Sequence, residues 1–532
     1  MPIRILLLAS AASVVAAQAQ AFTLNLLHIN DFHSRIESIN SSDSTCSAEE
    51  EAANECFGGA ARLHTAINAA RDELRAAGEN VLVLDAGDEF QGSLFFNTYS
   101  GEAELEMMNT IGYDAMAVGN HEFDLGPEPL AKFIAGAEFD VLSGNTVVAQ
   151  QGLLAGLKED VVLDFGGEKV AVIGMTTPDT VEIASPGPDI SFTDPIEYLT
   201  GKVAALEADG VNKIIVLGHL GTPEDIRVAE AVPGIDLIVG GHTHTLFSNT
   251  LEGAVYPYPL LVEGPTGTQV PIVQAGAYSK YLGQIKVTFD DAGVVTEAVG
   301  DTRIMDSTVV PDPAVLARIK ELAGPLEELK SREVAEVGAP IDGSRESCRA
   351  VECQMGNLIA EAMLDRVKDQ GVTIAIQNGG GIRASIDAGV VTKGEVLTVL
   401  PFQNTLSTFN ITGAGIVTAL ENGLSQVEEG AGRFPQVAGL TYSWDPAAAP
   451  LARVREVKVR AGEDWAPIDP AATYTVVTNN YVRTGGDGFT VLRDEATNAY
   501  DFGPGLEDVV ADYLAARPGY QAFTDGRIVR VE

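Results

Sequence analysis

The chain has 532 residues, more than one ordinary domain holds, so two large folded units are expected. Hydrophobic residues make up 45% and charged residues 20%, the profile of a soluble globular protein with apolar material for two cores. The formal net charge of −41 argues against binding to polymeric nucleic acid or to anionic lipid, which needs a basic face, and reads as a well-hydrated surface.

At the N-terminus, Arg4 precedes an apolar run over residues 5–17, and Ala17-Gln18-Ala19 fits a small-x-small cleavage site. The run is shorter than the roughly 20 residues that a membrane span needs, so residues 1–19 read as a signal peptide. No second hydrophobic span follows, and residues 526–532 lack the apolar tail that a lipid anchor replaces. The expectation is a secreted chain with no membrane anchor in its mature form, with the bacterial periplasm as the simplest destination. Export permits disulfides. Cys46 with Cys56 and Cys348 with Cys353 are the pairs close in sequence and are the favoured bridges; a four-thiolate zinc site is the alternative, although neither pair has the two-residue spacing of a zinc knuckle.

Residues 22–310 repeat a pattern of apolar strand, polar turn and helix. Strands are expected over 24–29, 81–84, 115–118, 170–173, 214–217 and 237–239, with helices such as 60–76 and 102–110 between them. This alternation implies a layered α/β domain. The polar residues that follow these strands are chemically coherent. Asp31 and His33 follow the first, and residues two apart in extended chain share a side. Asp88 closes the turn after the second; Asn120, His121 and Asp124 follow the third; His219, then His242 and His244, follow later ones. Carboxylate, imidazole and amide oxygen suit zinc, manganese or iron, and Asp88 is the natural bridge between two mutually repelling cations. The chain has 7 histidines, and all but His28 and His64 fall in these turns. His28, within a strand, and His64, on a helix, read as structural.

The order Asp-x-His, Gly-Asp, Gly-Asn-His-Glu, Gly-His, Gly-His-x-His resembles the calcineurin-type metallophosphoesterases, and Gly-Asn-His-Glu-Phe-Asp and Gly-Gly-His-Thr-His resemble their 5'-nucleotidase branch. The resemblance implies one divalent ion held by Asp31, His33, Asp88 and His244 and a second held by Asp88, Asn120, His219 and His242, zinc or manganese foremost. His244 stands where the family varies. His121 would meet the phosphoryl oxygens without ligating an ion, and Asp124 would orient and charge-stabilise its ring.

Residues 311–337 read as one connector helix with Leu316, Ile319, Leu322 and Leu326 on a common face, kinked or split at Pro325. A second unit follows over 338–532, with a helix over 356–368, an extended segment over 373–376, a stretch over 393–400 that turns at Pro401, and strands over 456–459 and 474–478. Within it, Arg349 sits between Cys348 and Cys353, the turn Asn378-Gly-Gly-Gly-Ile-Arg383 ends in a second arginine, Phe402 and Tyr481 offer two rings, and Asp487 lies in another glycine-rich turn. Arginine forks grip phosphate, aromatic faces hold a base, and a carboxylate accepts from ribose hydroxyls. These segments resemble the C-terminal nucleotide-binding domain of the same family. The fold implied is an N-terminal layered αββα metallophosphoesterase domain plus a smaller C-terminal α/β nucleotide-binding domain. The implied roles are Arg349 and Arg383 at phosphate, Asn378 at the substrate, Phe402 and Tyr481 around the base (the best-known members have Phe at the latter), and Asp487 at the ribose.

The activity implied is hydrolysis of small nucleoside 5'-phosphates by metal-activated water, with substrate bound between the two units and a hinge near the connector. Two rivals share the architecture: a 2',3'-cyclic-nucleotide phosphodiesterase with 3'-nucleotidase activity, and a UDP-sugar hydrolase. A non-catalytic nucleotide-binding protein is the rival of another class, and it would require a damaged ligand set.

Overall fold

The computed structural model describes residues 21–40, 45–184, 186–400, 402, 404–462, 464–501 and 503–531. The expected signal peptide over 1–19 and the turn residue Pro401 lie outside them.

Two six-stranded sheets stack in the first half. One runs in the order Val295–Ile304, Tyr281–Phe289, Phe22–Ile29, Val81–Asp85, Ala115–Ala117, Asp140–Leu142. Its last four strands are parallel, and the two that follow Phe22–Ile29 outward on the other side are antiparallel. The other sheet runs Leu260–Glu263, Gln269–Val273, Leu237–Gly240, Ile214–His219, Glu168–Thr176, Asp160–Phe165. Alternation across the first sheet divides its side chains between two cores. Leu24, Leu26, Leu82 and Leu84 meet Val172, Val216 and Ile238 of the second sheet. Leu27, Ile29, Val81 and Val83 face the helices Ala60–Ala76 and Glu102–Ile111. The result is the helix–sheet–sheet–helix layering expected.

The connector departs from expectation. Its helix spans Pro313–Lys330 and contains Pro325 without being split there; Leu322 and Leu326, buried on either side of the proline, hold it on the outer core of the first half. Val315 takes the inward position expected of Leu316, which is 43% exposed. The helix ends at Lys330, and Glu333–Val337 is a strand paired with Gly389–Thr392 instead of a continuation.

In the second half a five-stranded sheet runs Pro435–Ala438, Ile374–Asn378, Thr473–Asn479, Leu406–Thr412, Thr497–Tyr500, beside a four-stranded one that includes Val454–Ala461. The helix Gln354–Val367 covers the larger sheet through Leu358, Ile359 and Met363. Cys46 is bonded to Cys56 and Cys348 to Cys353, which removes the four-thiolate zinc alternative. Among the described residues no helix is long and apolar enough to cross a membrane.

Candidate active site

Each polar residue singled out in the first half follows the carboxyl end of a parallel strand, the edge where α/β sheets present ligands. Asp31 and His33 follow Phe22–Ile29, Asp88 follows Val81–Asp85, Asn120 and His121 follow Ala115–Ala117, His219 ends Ile214–His219, and His242 and His244 follow Leu237–Gly240. The turns are tight and unusual. Asp31, His33, Asp88, His242 and His244 all sit at positive φ, between 51° and 74°, which non-glycine residues adopt only where surroundings impose it. A Cβ at Gly119 would stand 2.2 Å from Asp88 Oδ1, so only glycine lets the third strand's turn approach that carboxylate.

The side chains converge. Asp31 Oδ1 lies 3.2 Å from His244 Nε2, and His33 Nε2 lies 3.0 Å from the same nitrogen. Asp88 Oδ2 is 3.0 Å from His219 Nε2, 3.8 Å from His33 Nε2 and 3.9 Å from His121 Nε2. Asp88 Oδ1 is occupied, accepting from the His121 backbone N–H at 2.9 Å, so a single oxygen, Oδ2, faces both groups of ligands. Asp31, His33 and His244 form one cluster with ligand spacing, and Asp88, His219 and His242 form another; His33, Asp88 and His121 form a third, so His121 also stands within ligand reach. Asn120 Oδ1 is buried and, among the described residues, accepts no hydrogen bond, as an oxygen aimed at a cation would.

Electrostatics agree with a cation-binding role. Burial pushes the Asp88 carboxyl up, but the imidazoles of His219, His121 and His33 outweigh it and hold it well below the usual range. Burial pulls the His219 ring down, but Asp88 and Asp31 outweigh it and raise it to about 10, so these carboxylates favour positive charge beside Nε2, where a cation would sit. His33 and His242, pulled down by burial and by neighbouring imidazoles to about 3 and about 4, stay neutral and keep a lone pair for an ion. His121 is different. Its Nδ1 lies 2.7 Å from Asp124 Oδ2, and Asp124 and Asp88 overcome burial to raise it to about 9. The donor set of carboxylate, imidazole and amide oxygen therefore fits two divalent cations sharing Asp88.

Supporting residues were not legible beforehand. Glu122 accepts from the backbone N–H groups of Gly119, Asp88, Glu89 and Phe90 at 2.6–3.1 Å and so fixes the Asp88 turn. Gln274 donates to Gly241 O at 2.5 Å and accepts from Thr245 N at 2.7 Å, bracing the loop that carries both His242 and His244. Asn30 holds Asp31, and the signal for it was its place in the Asn-Asp-x-His run.

The residues singled out in the second half also come together. Arg349, Asn378, Arg383, Phe402, Tyr481 and Asp487 line one cavity of about 380 Å³. Asp487 Oδ2 accepts from Asn378 Nδ2 at 2.8 Å, and Asp487 Oδ1 accepts from the Tyr481 hydroxyl at 3.1 Å. The Arg383 guanidinium lies 5.4 Å from the Phe402 ring centroid. Arg35 and Tyr278 of the first half also line it, and neither was foreseen. Tyr278 joins the two groups of residues: its ring centroid is 5.5 Å from that of His33 and 5.2 Å from that of His244.

Comparison with known proteins gives two family matches along the chain. Residues 24–246 match the calcineurin-like phosphoesterase family and residues 331–494 the 5'-nucleotidase C-terminal domain. The chain is 36% identical to a snake venom 5'-nucleotidase of Naja atra, over 96% of this chain and 99% of that protein. It is 35% identical to a 5'-nucleotidase of Homo sapiens, over 98% of this chain and 93% of that one. Among solved structures it is similar to a 5'-nucleotidase precursor from Thermus thermophilus, with 41% identity, a TM-score of 0.64 and coverage of 96% of this chain and 99% of that one.

Proposed function

The chain belongs to the 5'-nucleotidase family of metallophosphoesterases, and from that premise we propose that it works outside the cytoplasm and releases phosphate from nucleoside 5'-phosphates. As a member it is a metal-dependent phosphoric monoester hydrolase. The observation that carries the finer reading is Tyr278, whose ring touches His33 and His244 while lining the cavity that holds Arg349, Arg383, Phe402, Tyr481 and Asp487.

In this reading Asp31, His33, Asp88 and His244 hold one divalent ion, and Asp88, Asn120, His219 and His242 hold the other, with zinc or manganese the expected occupants. Two such ions, when bound, supply activated water and offset phosphoryl charge. His121, held by Asp124 and raised to about 9, presents a charged N–H to the phosphoryl oxygens as the ester bond breaks. Arg349 and Arg383 grip phosphate, Phe402 and Tyr481 flank the base, and Asn378 with Asp487 orients the ribose. The disulfides support an oxidising compartment, with the bacterial periplasm proposed.

The test is phosphate release from AMP, UDP-glucose and 2',3'-cyclic AMP by the metal-loaded protein, repeated after a chelator. Chelator-sensitive release from AMP in preference to the others is expected. Preference for the cyclic ester or the sugar nucleotide would favour the rivals of the same architecture, and inertness toward all three would sink the hydrolase reading.

A further inference from the structure

Three guanidinium groups line the cavity between the two halves. Arg349 and Arg383 come from the second half, and Arg35 comes from the first, two residues beyond His33. One carboxylate, Asp487, lines the cavity with them, in a chain whose net charge is −41. Burial, with Arg345 and Arg383 nearby, pushes the Arg349 guanidinium down, a crowding of like charge that a bound anion relieves.

Arg35 is aimed into this cavity by a built arrangement. It is buried, with 8% of its surface exposed, and its side chain donates to Gly92 O. Its guanidinium carbon lies 5.0 Å from the Tyr278 ring centroid, and its carbonyl accepts from Ser279 Oγ at 3.3 Å. The Tyr278 N–H donates to Asp31 O at 2.7 Å. Tyr278 and Ser279 both adopt positive φ, 62° and 58°, a conformation that a bulky aromatic takes only where the fold imposes it. The strained turn thus locks the brace of Arg35 onto the same backbone that carries Asp31. Because the Tyr278 ring also rests on His33 and His244, Arg35 is tied to the part of the cavity wall that borders the histidine cluster.

We propose that Arg35, braced by Tyr278, is a third arginine on the substrate's phosphate, delivered by the metal-bearing half, and that it sets the preference for phosphorylated over unphosphorylated nucleosides. A planar fork can engage a phosphoryl oxygen while its face lies on an aromatic ring, which a lysine does less well. The inference rests on the nucleotide reading above.

The experiment is titration calorimetry of inorganic phosphate, and separately of adenosine, with metal-loaded wild type, Arg35→Gln and Arg35→Lys, with metal content measured on each. Arg35→Gln is expected to weaken phosphate about tenfold or more while leaving adenosine within about twofold and metal content intact, and Arg35→Lys to recover part of the loss. Tyr278→Leu, which removes the brace and keeps the charge, is expected to weaken phosphate as well, and it serves if Arg35→Gln does not fold. Unchanged phosphate affinity in a metal-replete Arg35→Gln overturns the proposal. So does loss of metal from both Arg35 variants, which would make Arg35 a clamp on the Gly92 turn. Binding requires no turnover, so a wild type that binds phosphate yet releases none from AMP would count against the proposed activity and not against this role for Arg35.

Discussion

The side-chain amide of Asn30 donates to Asp31 Oδ2 at 2.6 Å, which occupies one oxygen of that carboxylate and leaves Oδ1 turned toward His244. Asn30 also donates to Gly276 O at 2.5 Å and accepts from Ala275 N at 2.8 Å, so one buried amide ties the first ligand turn to the segment after Gln269–Val273. Partners of this kind around a metal ligand are each worth roughly 10–100-fold in metal affinity. Asn30→Ala should therefore lower divalent-ion affinity by about that factor, read by competition against a chelator. Wild-type affinity in a folded Asn30→Ala protein would remove Asn30 from the site.

The pair of His121 and Asp124 makes a separable prediction, because the proposed reading gives His121 charge and hydrogen bonding and not a place among the ligands. His121→Ala should cut turnover by about 10²–10⁴-fold, the usual contribution of a positioned acid–base or charge-stabilising group. Asp124→Asn keeps a hydrogen-bond acceptor 2.7 Å from His121 Nδ1 but removes the charge, and should cost less. Both should keep full metal content by elemental analysis. Loss of an ion on His121→Ala would instead make His121 a ligand, which its 3.9 Å distance to Asp88 Oδ2 leaves geometrically open.

Much of this arrangement was legible because parallel strands bury both faces and so read as short apolar runs whose ends are marked by polar turns. Residues 24–29, 81–84 and 214–217 fall within Phe22–Ile29, Val81–Asp85 and Ile214–His219. The antiparallel pair Tyr281–Phe289 and Val295–Ile304 did not stand out, since its strands alternate buried and exposed positions and carry no continuous apolar run. Placement was legible where residue type is diagnostic, as with His219 in a histidine–carboxylate cluster and Arg383 on the cavity wall. It was hidden where a side chain acts through geometry alone. Glu122 was given no role of its own within the Gly-Asn-His-Glu run, and four backbone N–H groups converge on it. Tyr278 carries no signal in the sequence, and its ring lies beside two histidines and on a cavity wall. The connector erred at Leu316 because helical period fixes which residues share a stripe and does not fix which stripe faces the body.

Tyr481 stands 45% exposed on the cavity wall, its hydroxyl tied to Asp487 in both directions: it donates to Oδ1 and accepts from the Asp487 N–H, each at 3.1 Å. The ring's position is further set by Gly486, where a Cβ would come within 2.5 Å of it. If the ring stacks on a base, Tyr481→Ala loses ~1–3 kcal/mol of binding, or roughly 5–150-fold in KM for AMP, with turnover at saturation little changed. Tyr481→Phe keeps the ring and releases Asp487 Oδ1, while Oδ2 still accepts from Asn378, so its KM should rise only slightly. Equal loss in the two variants would mean that the hydroxyl, and not the ring face, does the binding.

A pH-dependent contribution to stability lies outside the candidate metal clusters, at Glu507 in the first turn of the helix Leu506–Ala515. The side chain is 1% exposed, and Oε2 has no hydrogen-bond partner among the described residues. Burial raises its carboxyl from 4.5 to about 7, with Lys393 opposing too weakly to reverse it. Between those two values the folded chain holds a proton that the unfolded chain has lost, so stability falls as pH rises through this window and levels off above about 7. A shift of this size corresponds to on the order of 3 kcal/mol. Glu507→Gln keeps the shape and cannot ionise, so the variant should gain on wild type by about that amount as pH moves from 4.5 to 8. The difference between wild-type and variant unfolding free energies, taken at each pH with metal saturated, isolates this group from the titration of the metal site. A difference that stays flat across the window would mean that Glu507 finds a partner or water in the folded chain and is not held protonated by burial.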